Sequence, residues 1–264
     1  MKSDRGFVAA LSALGGVYVV LIVALPLALL VTLVASDPAA GETSEFKGAL
    51  FSREVRFAVG LTLWTSTLSA LLSLVVGIPL GYVLSRTSFP GRGLVDVLIE
   101  IPIVLPPLVV GLGLLILFEM PGLKALGITY RVPAVVLAQA AVAAAFAVRT
   151  MKVTFDQISP RTEQVARTLG CSRAGAFFRV SLPEARRGVL TAGTLAWARS
   201  IGEFGPVLVF AGATRGKTEV LATTIWLELS IGRLEAAAAV SLVMVLLAVG
   251  VLLVVRRLGT EAAL

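Results

Sequence analysis

Six long apolar stretches run along the chain, separated by shorter segments in which charges and turn-forming residues collect. They cover residues 7–35, 57–85, 101–118, 132–148, 189–211 and 236–255. A helix needs about 20 apolar residues to cross a hydrocarbon core about 30 Å thick. The pattern therefore predicts an all-α membrane protein with six transmembrane helices, in which residues 1–264 form a single polytopic domain.

The composition favours the same class and excludes several kinds of chemistry. Apolar residues make up 57% of the chain and charged residues 15%, against about 25% charged residues in soluble domains. The chain has no histidine and a single cysteine, Cys171. A Ser-His or Cys-His catalytic site, a histidine-ligated metal centre and an internal disulfide are therefore excluded. We expect no catalytic residues, no metal site and no cofactor bound by the chain itself.

Lysine and arginine are unevenly divided between the two sides of the predicted membrane domain. With six spans and the N-terminus inside, the cytoplasmic segments hold 14 of these residues and the external loops hold 8. An excess of positive charge marks the cytoplasmic side of a membrane protein. We therefore expect a multi-pass protein of the cell membrane with both termini in the cytoplasm. The net charge of +7 is explained by this bias, with anionic lipid rather than nucleic acid as its counter-charge.

Proline and glycine predict interruptions and close contacts within the apolar stretches. Pro106 and Pro107 remove two backbone donors from the third stretch, so we expect a kink there, of the kind seen in broken helices that line a pathway. Gly77 and Gly81 form a small-residue pair that permits close helix packing. In the outer loop, residues 220–231 are apolar and predict a short helix, either re-entrant or lying at the membrane interface.

Arg199 and Glu203 place two charges inside the fifth apolar stretch. A spacing of four residues puts both side chains on one face of a helix, where they can neutralise each other. Ionisable residues at this depth are costly and usually functional. Two roles are open, a structural clasp and a part of an anion pathway. Gly202 and Gly205 are assigned to the same candidate site.

The longest polar segment, residues 149–188, predicts two short cytoplasmic helices. Thr162 is the predicted N-cap of the first helix, and Gly170 ends it as a C-cap glycine. Ser172 is the predicted N-cap of the second helix, which covers residues 173–180. Val165, Ala166 and Leu169 can form an apolar knob on the first helix. Because helices of two turns are marginal alone, this segment either docks on a partner protein or lies on lipid through its basic residues.

This segment resembles the cytoplasmic coupling loop of ABC-importer permeases. In that family a Glu-Ala-Ala triplet, a glycine and an Ile-x-Leu-Pro element follow one another at fixed spacing. Gly170, Val180, Leu182 and Pro183 stand at the matching positions here. Gln164, Val165 and Ala166 occupy the triplet, with Glu163 one position early. The stretches 198–205, 209–212 and 216–218 are similar to the molybdate/tungstate branch of the family, with sulfate permeases close by.

The resemblance implies a type I ABC-importer permease fold, in which a homodimer forms the translocation pathway. It also implies two cytosolic ATPase subunits, which bind the ATP, and an extracytoplasmic oxyanion-binding protein. The implied substrates are molybdate and tungstate, with sulfate or thiosulfate as the alternative. The residues that it assigns to ATPase coupling are Glu163, Gln164, Val165, Ala166, Leu169, Gly170, Leu182 and Pro183.

Two other classes of membrane protein remain as alternatives. An ion-coupled secondary transporter predicts inverted repeats and acidic residues near the bilayer midplane, yet no repeat is visible and only Glu203 qualifies. A membrane-embedded enzyme requires a cluster of polar catalytic residues inside the helices. Only the Arg199 and Glu203 pair is available for that purpose.

Overall fold

The computed structural model describes residues 12–25, 27–28, 31–32, 48 and 52–261. In this part of the chain all regular structure is helical, which confirms the predicted class. The helices are α1 Ser12–Ala24, α2 Arg53–Arg86, α3 Arg92–Val104, α4 Pro107–Glu119, α5 Val132–Gln157, α6 Pro160–Thr168, α7 Arg173–Ala176, α8 Arg186–Ile201, α9 Leu221–Ser230 and α10 Leu234–Glu261. Shorter helical turns cover Lys124–Leu126, Phe177–Ser181, Leu182–Glu184 and Val207–Ala211.

Three of the described helices, α2, α5 and α10, are long and apolar enough to cross a membrane. Helices α3 and α4, taken together as one broken span, meet the same criterion and would be a fourth span. They are bent by 111° at the break between them. Of the predicted first span, residues 7–35, the structure describes residues 12–25, 27–28 and 31–32, which include α1. The total of six spans therefore stays a prediction.

The kink predicted at Pro106 and Pro107 is confirmed, but the boundaries of the third stretch are wrong. The helix begins at Arg92 rather than near residue 101 and ends at Val104. Leu105 donates its N–H to the carbonyl of Ile101 at 2.9 Å, and Pro107 then occupies the first turn of α4. Proline cannot continue a helical ladder but suits a first helical position, so the chain turns here.

The fifth stretch is also broken, contrary to the continuous helix predicted over residues 189–211. Helix α8 ends at Ile201, and a wide π-helical turn resumes at Val207. Pro206, which lacks an N–H, precedes that turn. Hydropathy did not reveal this break because Glu203 is the only charged residue among the five that intervene.

The two breaks pack against each other through glycines. A Cβ atom on Gly205 would lie 2.9 Å from Cβ of Pro107, and one on Gly111 would lie 2.7 Å from Cα of Pro206. Real Cβ atoms do not approach other carbons this closely, so both positions require glycine. The segment that follows α8 is thereby fixed against the start of α4.

Helices α2 and α5 form the centre of the fold. A Cβ on Gly77 would lie 2.9 Å from Cβ of Ala147, which confirms the predicted close contact at the glycine pair. The buried face of α2 carries small hydroxyl side chains, and Ser69 donates a hydrogen bond to the carbonyl of Val136 on α5 at 2.9 Å. Small residues allow the backbones to approach closely within a membrane.

The short helix predicted in the outer loop is present as α9. The backbone N–H of Leu221, at its start, donates to the hydroxyl of Thr62 on α2 at 2.9 Å. Helix α9 also packs against α10, and its Trp226 ring lies 6.4 Å from the ring of Phe204. The helix is therefore held between α2, α10 and the segment after α8.

Candidate functional site

The first helix of the predicted coupling segment, α6, begins three residues earlier than predicted. Its N-cap is Ser159, whose hydroxyl accepts a hydrogen bond from the N–H of Arg161 at 3.4 Å. The predicted N-cap, Thr162, is wrong because this residue lies within the first turn and donates its hydroxyl to the carbonyl of Ser159 at 2.8 Å. Pro160 takes the first helical position, for which its fixed φ is suited.

The end of α6 is formed as the sequence predicted. Gly170 has φ +93°, a conformation that favours glycine because it has no Cβ. Its N–H donates to the carbonyl of Arg167 at 3.1 Å, and the N–H of Cys171 donates to the carbonyl of Ala166 at 3.1 Å. This pair of bonds is the Schellman motif, which closes the helix and fixes the exit of the chain.

The second helix of this segment is shorter than predicted and is followed by a wide turn. Ser172 is its N-cap, confirmed by a hydrogen bond from the N–H of Gly175 at 3.0 Å. Helix α7 ends at Ala176, and the chain continues through the π-helical turn Phe177–Ser181 to Leu182 and Pro183. Leu182 is half-buried and Pro183 is exposed.

An apolar knob projects from α6. The side chains of Val165 and Leu169 are 58% and 81% exposed, Gln164 beside them is exposed, and Ala166 is half-buried. A short capped helix that presents apolar side chains to solvent is suited to insertion into a groove of another protein. Val165 and Leu169, one helical turn apart, therefore share an accessible face of α6, and we call residues 164–166 and 169 together the coupling knob.

Glu163 does not share that surface, although it was predicted together with the knob residues. Its carboxylate faces the C-terminal end of α2, where it accepts hydrogen bonds from the hydroxyl of Tyr82 at 2.8 Å and from Nε of Arg86 at 3.0 Å. The hydroxyl of Ser181 donates a third bond at 2.6 Å. Burial opposes ionisation of Glu163, but the bonds from Ser181, Tyr82 and Arg86 outweigh it, so the pKa of the carboxyl lies below its ordinary value.

The predicted ion pair between Arg199 and Glu203 is present. Nη1 of Arg199 lies 2.6 Å from Oε2 of Glu203, with the arginine side chain 30% exposed and the glutamate side chain 1% exposed. Two glycines were assigned with the pair. A Cβ atom added to Gly202 would have Cε of Met244 as its nearest neighbour, at 4.0 Å, so this position is not tightly packed. Gly205 is instead a packing residue, since it lies against Pro107.

A cavity on the side of the coupling segment was not predicted from the sequence. It has a volume of about 750 Å³ and lies between α5 and α8, with Ile103 of α3 at its edge. Its polar lining includes Arg149, Thr150, Gln157 and Arg187. Arg149 also faces Glu100 of α3 at 3.4 Å. The basic residues of this region were interpreted only as positive-inside charge, because their common cavity depends on the packing of three helices.

Comparison with known proteins adds a family and a fold. The family model described as "binding-protein-dependent transport system inner membrane component" matches residues 73–260. A probable molybdenum ABC transporter permease protein of Haloferax volcanii is 44% identical over 199 residues, which cover 74% of this chain and 72% of that protein. The sulfate transport system permease protein of Escherichia coli is 32% identical over 231 residues, covering 85% of this chain and 82% of that protein.

A solved structure shows the same fold. It is the crystal structure of a bacterial alginate ABC transporter in complex with an alginate pentasaccharide-bound periplasmic protein. The TM-score is 0.76, and the alignment covers 98% of this chain and 96% of that chain at 19% identity. The type I importer fold expected from the coupling segment is confirmed by this similarity.

Proposed function

Because the chain belongs to the family of inner membrane components of binding-protein-dependent transport systems, we propose that it is the permease of an ATP-driven importer of molybdate and tungstate. The observation that supports ATPase coupling is the coupling knob. Its apolar side chains Val165 and Leu169 are exposed on a helix that is capped at both ends. The relatives are transport permeases, so the chain works as a transport subunit and the ATP hydrolysis belongs to a partner.

The mechanism follows from differential binding. ATP closes a pair of ATPase subunits, the coupling knob moves with them, and the permease changes between inward-open and outward-open states. Each ligand acts only through the difference in its affinity for the two states. The second copy of the chain completes the pathway, and an extracytoplasmic binding protein delivers the oxyanion. Both termini lie in the cytoplasm in this arrangement.

The substrate is supported by the relatives. The Haloferax volcanii permease, whose name specifies molybdenum, shares 44% of aligned residues with this chain, whereas the sulfate permease shares 32%. Molybdate, tungstate and sulfate are all tetrahedral dianions, so discrimination among them depends on size and on the binding protein. Sulfate is the second candidate substrate, because the similarity to the sulfate permease extends over a longer part of the chain.

The experiment is uptake into proteoliposomes that contain the complex purified through a tag on this chain. Vesicles loaded with ATP, and supplied outside with the binding protein, should accumulate labelled tungstate, with molybdate competing and a tenfold excess of sulfate not competing. Competition by sulfate at equal concentration would assign the sulfate branch instead. Uptake that needs no ATP but is abolished by dissipating an ion gradient would make the chain a secondary transporter.

A further inference from the structure

We propose that Glu163 is a latch that transmits movement of the coupling knob to helix α2. The inference rests on the proposed function, because it assumes that an ATPase moves the knob. Glu163 is thus a positioning residue of the transport cycle, and its partners are on the permease itself. The latch consists of Glu163, Tyr82, Arg86 and Ser181.

One carboxylate connects three parts of the chain. Tyr82 and Arg86 belong to the last two turns of α2, one helical turn apart, and both donate to Glu163. Ser181, the last residue of the turn after α7, donates to the same carboxylate oxygen as Arg86. Arg86 donates in addition to the carbonyl of Ile158 at 2.8 Å, just after the end of α5.

The two sides of α6 have different surroundings. The knob residues Val165 and Leu169 are exposed, whereas the side chain of Glu163 is only 12% exposed and faces the membrane helices. The caps at Ser159 and Gly170 close both ends of the helix, so a displacement of the knob moves the helix as one unit. The carboxylate then carries that displacement to its donors on α2.

The connection is stronger than a surface ion pair. The side chain of Arg86 is 8% exposed, so water and salt screen the pair weakly. Hydrogen bonds in which one partner is ionised are shorter and stronger than neutral ones. The Tyr82 ring is also fixed by edge contacts with Phe155 and Phe177, whose centroids lie 5.4 and 4.6 Å away. Movement of α6 without α2 would require breaking the two bonds that Tyr82 and Arg86 donate to the carboxylate.

The test is the ratio of tungstate imported to ATP hydrolysed, measured on the full complex with Glu163→Gln. The amide keeps the shape of the side chain but loses its charge, and the knob is unchanged, so the ATPase should still co-purify. We expect the ratio to fall about fivefold or more, the range typical of coupling between distant sites. Glu119→Gln is the matched control, because Glu119 is a carboxylate paired with Lys124 far from the coupling segment, and its ratio should equal that of the parent.

The outcomes separate the latch from the function on which it rests. If the parent complex itself shows no ATP-driven uptake, the proposed function is wrong. If the parent imports tungstate and Glu163→Gln keeps the parent ratio, the latch is wrong. Should Glu163→Gln fail to assemble, Tyr82→Phe decides, since it removes one hydrogen bond and keeps the aromatic packing. A lowered ratio in Tyr82→Phe supports the latch, and an unchanged ratio overturns it.

Discussion

The guanidinium of Arg199 lies 2.6 Å from the carboxylate of Glu203, although the helix that carries Arg199 ends at Ile201. The backbone N–H of Glu203 donates to the carbonyl of Ser200 at 3.2 Å, which keeps the chain folded back for one more turn. The glutamate is therefore buried at a helix end while the arginine remains partly exposed. This asymmetry makes the pair testable by changing each residue separately.

The first prediction separates the two roles that remain open for this pair. Arg199→Gln leaves a buried carboxylate without its partner, a change that costs about 3–5 kcal/mol in buried pairs, and the clasp role predicts that it reduces assembly. If the pair is a clasp, the double variant with Glu203→Gln should recover assembled complex, measured by size-exclusion chromatography. If the pair belongs to the anion pathway, the single variants should assemble and hydrolyse ATP yet transport poorly, and the double variant should not recover. Normal transport by both single variants would contradict both roles.

The second prediction concerns the glycine that ends α6. Gly170→Val puts a β-branched side chain at φ +93°, where L-residues are strained by about 1–2 kcal/mol. The knob should lose its position, and ATP-driven tungstate uptake should fall strongly together with co-purification of the ATPase. Gly170→Asn is the control, because asparagine tolerates left-handed conformations and should retain most of the uptake. If the valine variant took up tungstate at the parent rate, the coupling knob would not be part of the ATPase docking surface.

The features that the sequence predicted correctly are those that depend on neighbouring residues. The caps at Gly170 and Ser172 follow from local chemistry, and the presence of the long helices α2 and α5 follows from uninterrupted apolar stretches, although α5 continues to Gln157, beyond the predicted end at residue 148. The break before Pro106 follows from proline itself. In these cases the determining residues stand within one or two turns of the feature.

The features that it missed depend on contacts between distant parts of the chain. Glu163 was placed with the knob because the partners that turn it inward, Tyr82 and Arg86, precede it by 81 and 77 residues. The break after Ile201 coincides with a contact between Gly205 and Pro107 that hydropathy does not report. The cavity beside α5 likewise forms only when three helices pack together.

The third prediction tests the orientation derived from the charge bias. Single cysteines at Thr43 and at Ser230, in a Cys171→Ser background, should react with an impermeant thiol reagent added outside intact cells. A cysteine at Ser88 should react only after the membrane is opened. Ser230 and Ser88 are both exposed in the structure, so access depends on the side of the membrane rather than on burial. The reverse pattern would overturn the 14-to-8 charge argument, and labelling of Thr43 and Ser230 from opposite sides would overturn the helix count.

The fourth prediction contrasts two glutamates of the outer loop that differ in their partners. Glu219 is fully buried, and among the described residues no donor makes a hydrogen bond of good geometry to either carboxylate oxygen, although Thr224 and the N–H of Gly216 lie near it. Glu228 accepts a bond from Arg215 at 2.7 Å and pairs with Arg233 at 3.5 Å. Burial raises the pKa of Glu219, and the hydroxyl of Thr224, the charge of Arg215 and the backbone N–H of Gly216 only partly offset this.

Because the pKa of Glu219 is raised in the folded state, its charged form lowers the free energy of unfolding at pH values above the pKa of the unfolded state. This loss of stability disappears as the pH falls through the pKa of the folded state. Glu219→Gln removes the buried charge and should raise the thermal unfolding midpoint of the detergent-purified protein at pH 8 by about 2–4 °C, equivalent to about 1 kcal/mol for a domain of this size. The gain should shrink at lower pH, where the wild-type carboxyl takes up its proton. Glu228→Gln is the matched variant of opposite sign, because it removes the negative charge that Arg215 and Arg233 share and should lower the midpoint. Equal shifts in both variants, or a lower midpoint in Glu219→Gln at pH 8, would show that Glu219 is stabilised by its surroundings and that its burial imposes no net cost.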